Sequence, residues 1–363
     1  MLKTIGYVLL LAIGLAAPHY FYSIFVMKIL CFALFASAFN LLIGYTGLLS
    51  FGHAAFLGGA GYLTGYMIRD MGLSPLLGVL AGTGFAALLG LLMGWLAIRR
   101  QGIYFTMITL ALSQMVYFVW LQAHFTGGED GLQGVPRGNL FGLIDLSSDT
   151  VMHCERFLQS EVFCPLVLSA DLKTYYVVLA IFLFGFWLIH RTIHSPFGQV
   201  LMAIKDNEPR TISLGYDVDR YKLLVFVLSA ALSGLAGATK VLVLGFETLT
   251  DAHWSMSGLV VLMTLVGGMG TVLGPLVGAI VILILENKLG EIGRFLAGAT
   301  GVDWFNSLGE SVTIVTGFIF IVVVLLFRRG IVGEILALMP KTKRPAAIAS
   351  PPHRPAVAKV GSS

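Results

Sequence analysis

Long apolar runs, separated by short clusters of glycine, proline and charge, set the rhythm of this 363-residue chain. About ten runs approach or reach the ~18–20 residues that a helix needs to cross hydrocarbon. They fall at roughly 5–17, 21–43, 54–68, 75–98, 103–122, 173–190, 221–245, 255–269, 272–286 and 307–327. The first, eighth and ninth are short, so the pattern predicts an all-α, polytopic helical transmembrane bundle of about eight to ten spans.

Composition narrows the class. Apolar residues make up 57% of the chain and charged residues 12%, against the roughly 25% charge of soluble domains. The placement of the charge matters more than its net value of +4. Ten alternating spans put Arg99, Arg100, Arg191, Lys205, Arg210, Arg220, Lys222, Arg328 and Arg329 on one side, with Lys3, Lys341, Lys343 and Arg344. The other side receives Glu129, Asp130, Glu155, Glu161, Glu247, Asp251 and Glu310. Positive charge marks the cytoplasmic side, so both termini are expected there.

The transmembrane unit is expected over 1–340, followed by a basic Pro/Ala-rich tail, 341–363, with nothing to bury and the character of a disordered segment. The first run has two readings, a span or a secretory leader, because a basic start, a short apolar core and small residues suit both. The loop 124–172 is expected outside. It carries Cys154 and Cys164, which suit either a disulfide or free thiols on an oxidising side, while Cys31 reads as a small apolar residue within a span. No Cys/His spacing points to a metal, no cofactor motif appears, and the expected partner is the lipid bilayer rather than nucleic acid.

The loop 194–222 is the most patterned polar segment. Its apolar residues recur at helical spacing from Phe197 to Ile204, and KDNEPR then changes the character. A short helix, a turn near Pro209 and a second piece up to Gly215 satisfy the pattern. It suits an amphipathic linker on the headgroups or a docking element for a soluble partner. Small residues recur at i, i+4 in 90–94, 229–233–237 and 270–274–278, an interval that lets helix backbones approach closely. Pro275 and the GGMG run are expected to break the chain near the cytoplasmic face.

The stretch GYTGLLSFGHAAFLGGAGYLTG (44–65) holds seven glycines. GYTGLLSFG is too glycine-rich for a stable helix and sits where the second span ends. Irregular backbone at membrane depth survives only when buried in protein or lining a water-filled cavity. The expectation is a break with unusual backbone angles at Gly47 and Gly52 and a restart at His53. Tyr45, Thr46, Gly47, Ser50, Gly52 and His53 are then candidate pathway residues, and a tight interfacial turn is the plainer alternative.

Several chemistries are disfavoured. The central thirds of the spans are almost free of charge, unlike an ion-coupled secondary transporter. There is no G-x-x-x-x-G-K-[ST] for ATP and no H-E-x-x-H or G-x-S-x-G for hydrolysis. A conduit that draws its energy from elsewhere remains, with a self-sufficient channel for small neutral solutes as its rival.

FNLLIGYTGLLSFGHAAFLGGAGY (39–62) resembles the signature of the membrane-spanning permeases of branched-chain amino-acid ABC importers, the M-type subunit in particular. RRQGIYFTMITLALSQM (99–115), TGGEDGLQGVP (126–136), SPFGQVLMAIKDNEPRTISLGYDVDRYKL (195–223) and GGMGTVLGPLVGA (267–279) extend the likeness in the same order. The resemblance implies a bacterial inner-membrane subunit that is not itself an enzyme. It also implies a second permease, two cytoplasmic ATP-binding subunits and a periplasmic binding protein as partners. It makes 194–222 an ATPase-coupling loop, with Ala203, Lys205, Asp206, Glu208 and Gly215 as candidates and Pro209 ending its helix early. Permeases for urea, short amides and other amino acids belong to the same family, and IGYTG rather than WGYTG favours amino acids.

Overall fold

A computed structural model describes residues 14–18, 21–100, 102–140, 144–146, 150–151, 167–300, 317–318, 321, 325 and 330–338. Cys154, Cys164, the tail 341–363 and most of the first and last apolar runs lie outside the described residues. The described chain is helical almost throughout. In order, the helices are α1 (Ser23–Thr46), α2 (His53–Arg69), α3 (Pro75–Ala97), α4 (Ile103–Gln122), α5 (Ala170–Ile193), α6 (Pro196–Asp206), α7 (Glu208–Ser213), α8 (Val218–Leu244), α9 (Leu249–Ala252), α10 (Trp254–Gly267), α11 (Gly274–Thr300) and α12 (Gly330–Leu338).

Five of these, α1, α3, α4, α5 and α8, are long and apolar enough to cross a membrane. They divide by burial. The most apolar stretches of α1 and α8 are 83% and 72% buried inside the protein, those of α3 and α4 only 33% and 22%. Uninterrupted apolar sequence on α1 gives no face to prefer, as expected of a helix enclosed on all sides. α3 turns Leu77, Leu80, Leu88, Leu92 and Trp95 outward instead, which suits contact with lipid chains. At 17 residues, α2 spans about 25 Å and is tucked inside, between α3 and α8.

Small residues set these central contacts. A Cβ on Gly237 of α8 would stand 2.0 Å from the Leu57 carbonyl oxygen of α2. One on Gly234 would stand 2.2 Å from the Ala86 Cβ of α3, and one on Gly90 of α3 would stand 2.4 Å from the Ala230 Cβ of α8. Three backbones therefore approach as closely as heavy atoms allow, and dispersion contacts hold helices together where lipid supplies no hydrophobic drive. The 270–274–278 series behaves differently. Gly270 lies in a turn with φ 74°, and only Gly278 packs helix on helix, its Cβ position 1.8 Å from the Met263 carbonyl oxygen of α10. The GGMG run breaks the chain between α10 and α11, as its glycines and Pro275 predict.

At the end of the bundle opposite the 194–222 loop, part of the 124–172 loop folds over α8. Strand β1 (Leu132–Gln133) pairs antiparallel with β2 (Phe246–Glu247), Leu132 opposite Glu247. The Val135 N–H donates to the Gly245 carbonyl at 2.9 Å. Arg137 bridges Asp171 at 2.5 Å and reaches the Val243 carbonyl at 3.3 Å. Gly237→Val is expected to cost at least about 3 kcal/mol, the upper range for overpacking, because no flexible side chain can yield to it. Thermal unfolding of the detergent-solubilised protein checks this, and an unchanged midpoint would show that the α2–α8 contact is looser than described.

Candidate functional site

α1 stops where the glycines begin. Gly47 adopts φ 77° and donates its N–H to the Ile43 carbonyl at 3.2 Å, a left-handed cap that glycine reaches without steric cost. The chain then runs irregularly to Gly52, and α2 restarts at His53. Gly52 corrects the expectation of unusual angles, since its φ of −89° and ψ of −4° are open to other residues. It is glycine for space: a Cβ there would lie 3.0 Å from Met93 Cε and 3.1 Å from the Thr109 carbonyl oxygen.

The irregular stretch is mostly buried, with Gly47 exposed at its start. Fully buried Ser50 accepts from the Gly52 N–H at 3.2 Å, and Thr106 on α4 donates to the Leu49 carbonyl at 2.9 Å. Tyr45 and Thr46 are buried too, and the Thr46 hydroxyl has no hydrogen-bond partner among the described residues. His53 is fully buried among the rings of Phe39, Phe56 and Phe226. Ser229 Oγ donates to the Ala38 carbonyl at 2.6 Å, which leaves it to accept from His53 Nε2 at 2.9 Å. That order assigns the ring proton to Nε2 and ties α1, α2 and α8 together.

Asn40, absent from the sequence-derived candidates, is the second fastening. Its Nδ2 donates to the Thr271 carbonyl and its Oδ1 accepts from the Gly270 N–H, both at 2.9 Å. A Cβ on Gly44 would stand 2.3 Å from Asn40 Oδ1 and 2.7 Å from Gly270 N. Glycine at 44 is thus what allows the α10–α11 turn to touch α1. The available signal was an amide, able to donate and accept at once, inside an otherwise apolar run.

The 194–222 loop supplies the third. α6 opens on Ser195, whose Oγ accepts from the Gly198 N–H at 3.3 Å, with Pro196 at its first position, a favourable start. It ends at Asp206, and Asn207 caps α7 by accepting from the Arg210 N–H at 3.1 Å. The turn therefore centres on Asn207, and Pro209 opens the second helix rather than turning the chain. Lys205 Nζ reaches back to donate to the Gly44 carbonyl at 2.6 Å, a cation on the carbonyl end of α1. Lys222 on α8, its side chain 4% exposed, pairs with Glu208 at 2.6 Å. Ala203 and Asp206 are exposed. Gly215 has φ 87° with nothing within 4 Å of a Cβ, so its need is conformational alone. A cavity of about 430 Å³ between loop and break is lined by Thr46, Gly47, Gly102, Lys205, Glu208 and Lys222, among others.

The five long apolar helices are those of a multi-pass membrane protein. The family described as branched-chain amino acid transport system, permease component, matches residues 21–327, and the chain belongs to it. Relatives include the high-affinity branched-chain amino acid transport system permease protein LivM of Salmonella typhimurium and of Escherichia coli. Each is 26% identical over 264 residues, 70% of this chain and 60% of the relative. The chain thus spans about three-fifths of the length of these two. The ribose import permease protein RbsC of Escherichia coli is 30% identical over 122 residues, 31% of this chain and 36% of its own. No solved structure matches the chain.

Asn40→Ala is expected to cost about 2–3 kcal/mol, two hydrogen bonds plus the orphaned groups of the turn. Lys205→Met is expected to cost about 1 kcal/mol, the loss of one charge-assisted hydrogen bond made by an exposed lysine. Chemical denaturation of both variants checks the order, and a larger loss in Lys205→Met would reverse the roles given to the two fastenings.

Proposed function

We propose that this chain is a membrane-spanning subunit of an ATP-driven importer for branched-chain or similar hydrophobic amino acids. It lies in the bacterial inner membrane with both termini cytoplasmic and pairs with a second permease. Two cytoplasmic ATP-binding subunits dock on 194–222, and a periplasmic binding protein delivers the substrate. Family membership and the LivM relatives support the substrate class. The observation that carries the mechanism is the Lys205 to Gly44 hydrogen bond.

In this reading, movement of the ATP-binding subunits displaces α6 and α7. Lys205 transmits the displacement to the end of α1, and Asn40 passes it to the α10–α11 turn. The glycine break absorbs the change in backbone angle, since Gly47 crosses conformational space that other residues cannot. Tyr45, Thr46, Gly47, Ser50, Gly52 and His53 lie in or beside that break and are the candidate pathway residues. Affinity resides mainly in the binding protein, so the bundle holds substrate weakly and releases it readily.

Uptake and ATPase activity measured on one reconstituted complex test the coupling. Charge reversal at Lys205 or Asp206, and Gly215→Val, are each expected to reduce uptake at least tenfold while the permease stays folded. The ATPase is expected to dissociate or to lose its stimulation by loaded binding protein. Normal transport in all three variants would move coupling to the segments near 99–102 or 267–274. Competition assays separate leucine from ribose as the cargo, and inhibition by ribose alone would displace the amino-acid reading. For topology, single cysteines in 124–172 are expected to react with impermeant reagents from outside and those in 194–222 from inside. Labelling of both from one side contradicts the arrangement.

A further inference from the structure

At the opposite end of α8, Lys240 stands between two carboxylates. Its Nζ lies 3.4 Å from Glu247 Oε2 and also contacts Asp251 Oδ2. The three side chains are 4%, 0% and 7% exposed. Asp251 is well provided for, because its Oδ2 also accepts from the Thr248 N–H at 3.2 Å and the Thr248 hydroxyl at 2.5 Å. Glu247 is not. Its Oε1 has no hydrogen-bond partner among the described residues. The carboxyl lies against α2, where a Cβ on Gly61 would stand 2.6 Å from its Cδ. The neighbouring Tyr62 hydroxyl is likewise buried without a partner, within electrostatic reach of Glu247 and Asp251.

Counted at face value, one ammonium and two carboxylates leave a buried charge of minus one. An unneutralised charge in such a place costs several kcal/mol, and a carboxylate there gains a proton instead. Among the described residues no second cation pairs with Glu247. Cys31 on α1 bonds Thr239 and lies near Lys240. Tyr117 on α4 meets the ring of His253, which is held by Ser255. Arg137 is engaged by Asp171, and Glu129 and Asp130 in the adjoining turn are exposed.

We propose that this cluster is a proton-binding site. Glu247 takes one proton from the outer water, carried on Oε1, when this end of the bundle closes, and returns it when the end opens. Lys240 stays charged against Asp251, so the closed cluster is neutral. Burial raises the Glu247 carboxyl well above its ordinary range, against the pull of Lys240. The sign follows: the closed form binds one proton more than the open form, so it is favoured as pH falls and loses that advantage as pH rises through the closed-state value. The site serves whatever solute the bundle passes.

Infrared spectroscopy of the purified complex in lipid tests this without transport. A protonated-carboxyl stretching band is expected in the native protein at neutral pH and is expected to vanish in Glu247→Gln. A single cysteine at Leu249, with Cys31, Cys154 and Cys164 replaced, is expected to label faster from outside as pH rises. The same cysteine is expected to label at a pH-independent rate in the Glu247→Gln background. Absence of the band, a band that survives the substitution, or an unchanged pH slope in the variant overturns the proposal. Failure of Glu247→Gln to assemble also overturns it, since a neutral side chain of the same shape replaces a neutral acid.

Discussion

A backbone that leaves helical form inside an apolar bundle must find partners for every amide and carbonyl it frees. Here that demand falls on residues 44–52, and its answer organises the molecule. The Gly44 carbonyl takes Lys205 from the 194–222 loop, and the Leu49 carbonyl takes Thr106 from α4. Asn40, one turn before Gly44, meets the second irregular stretch at Gly270 and Thr271. Segments far apart in sequence thus share one set of hydrogen bonds, which none could complete alone.

Glycine answers a different demand at each site. At Gly47 it supplies a left-handed φ, and at Gly52 it supplies room beside Met93 and Thr109. At Gly44 it admits the α10–α11 turn, and at Gly237 it admits the α2 backbone. Only the first use is about conformational freedom. The others trade side-chain volume for backbone proximity, which strengthens both dispersion and the polar contacts that proximity permits.

Much of this was legible in the chain. The run 103–122 coincides with α4, and Pro75 and Arg99 bracket α3 closely, because apolar length and its polar boundaries are local properties. α11 outran its expectation of 272–286 to reach Thr300, since ENKLGEIGR interrupts the apolar run with charge but holds no proline to stop the helix. Long-range partnerships were not legible. Glu247 and Asp251 were assigned to the outer side, yet nothing in their spacing from Lys240 places two carboxylates on one ammonium. Nor does the sequence join Asn40 to Gly270, 230 positions away, or tell that Gly52 is small for the sake of Met93.

Near its ends α8 is held by ionisable side chains, Lys222 with Glu208 at one and Lys240 with Glu247 and Asp251 at the other. Between them the His53–Ser229–Ala38 chain is the principal polar tie. The remaining contacts combine close glycine approaches with buried large side chains, Phe226 against Phe56 and Phe105 among them. Directional polar bonds therefore concentrate towards the two ends of α8. On one side lies the glycine break under Lys205, and on the other the β1–β2 cover over Glu247.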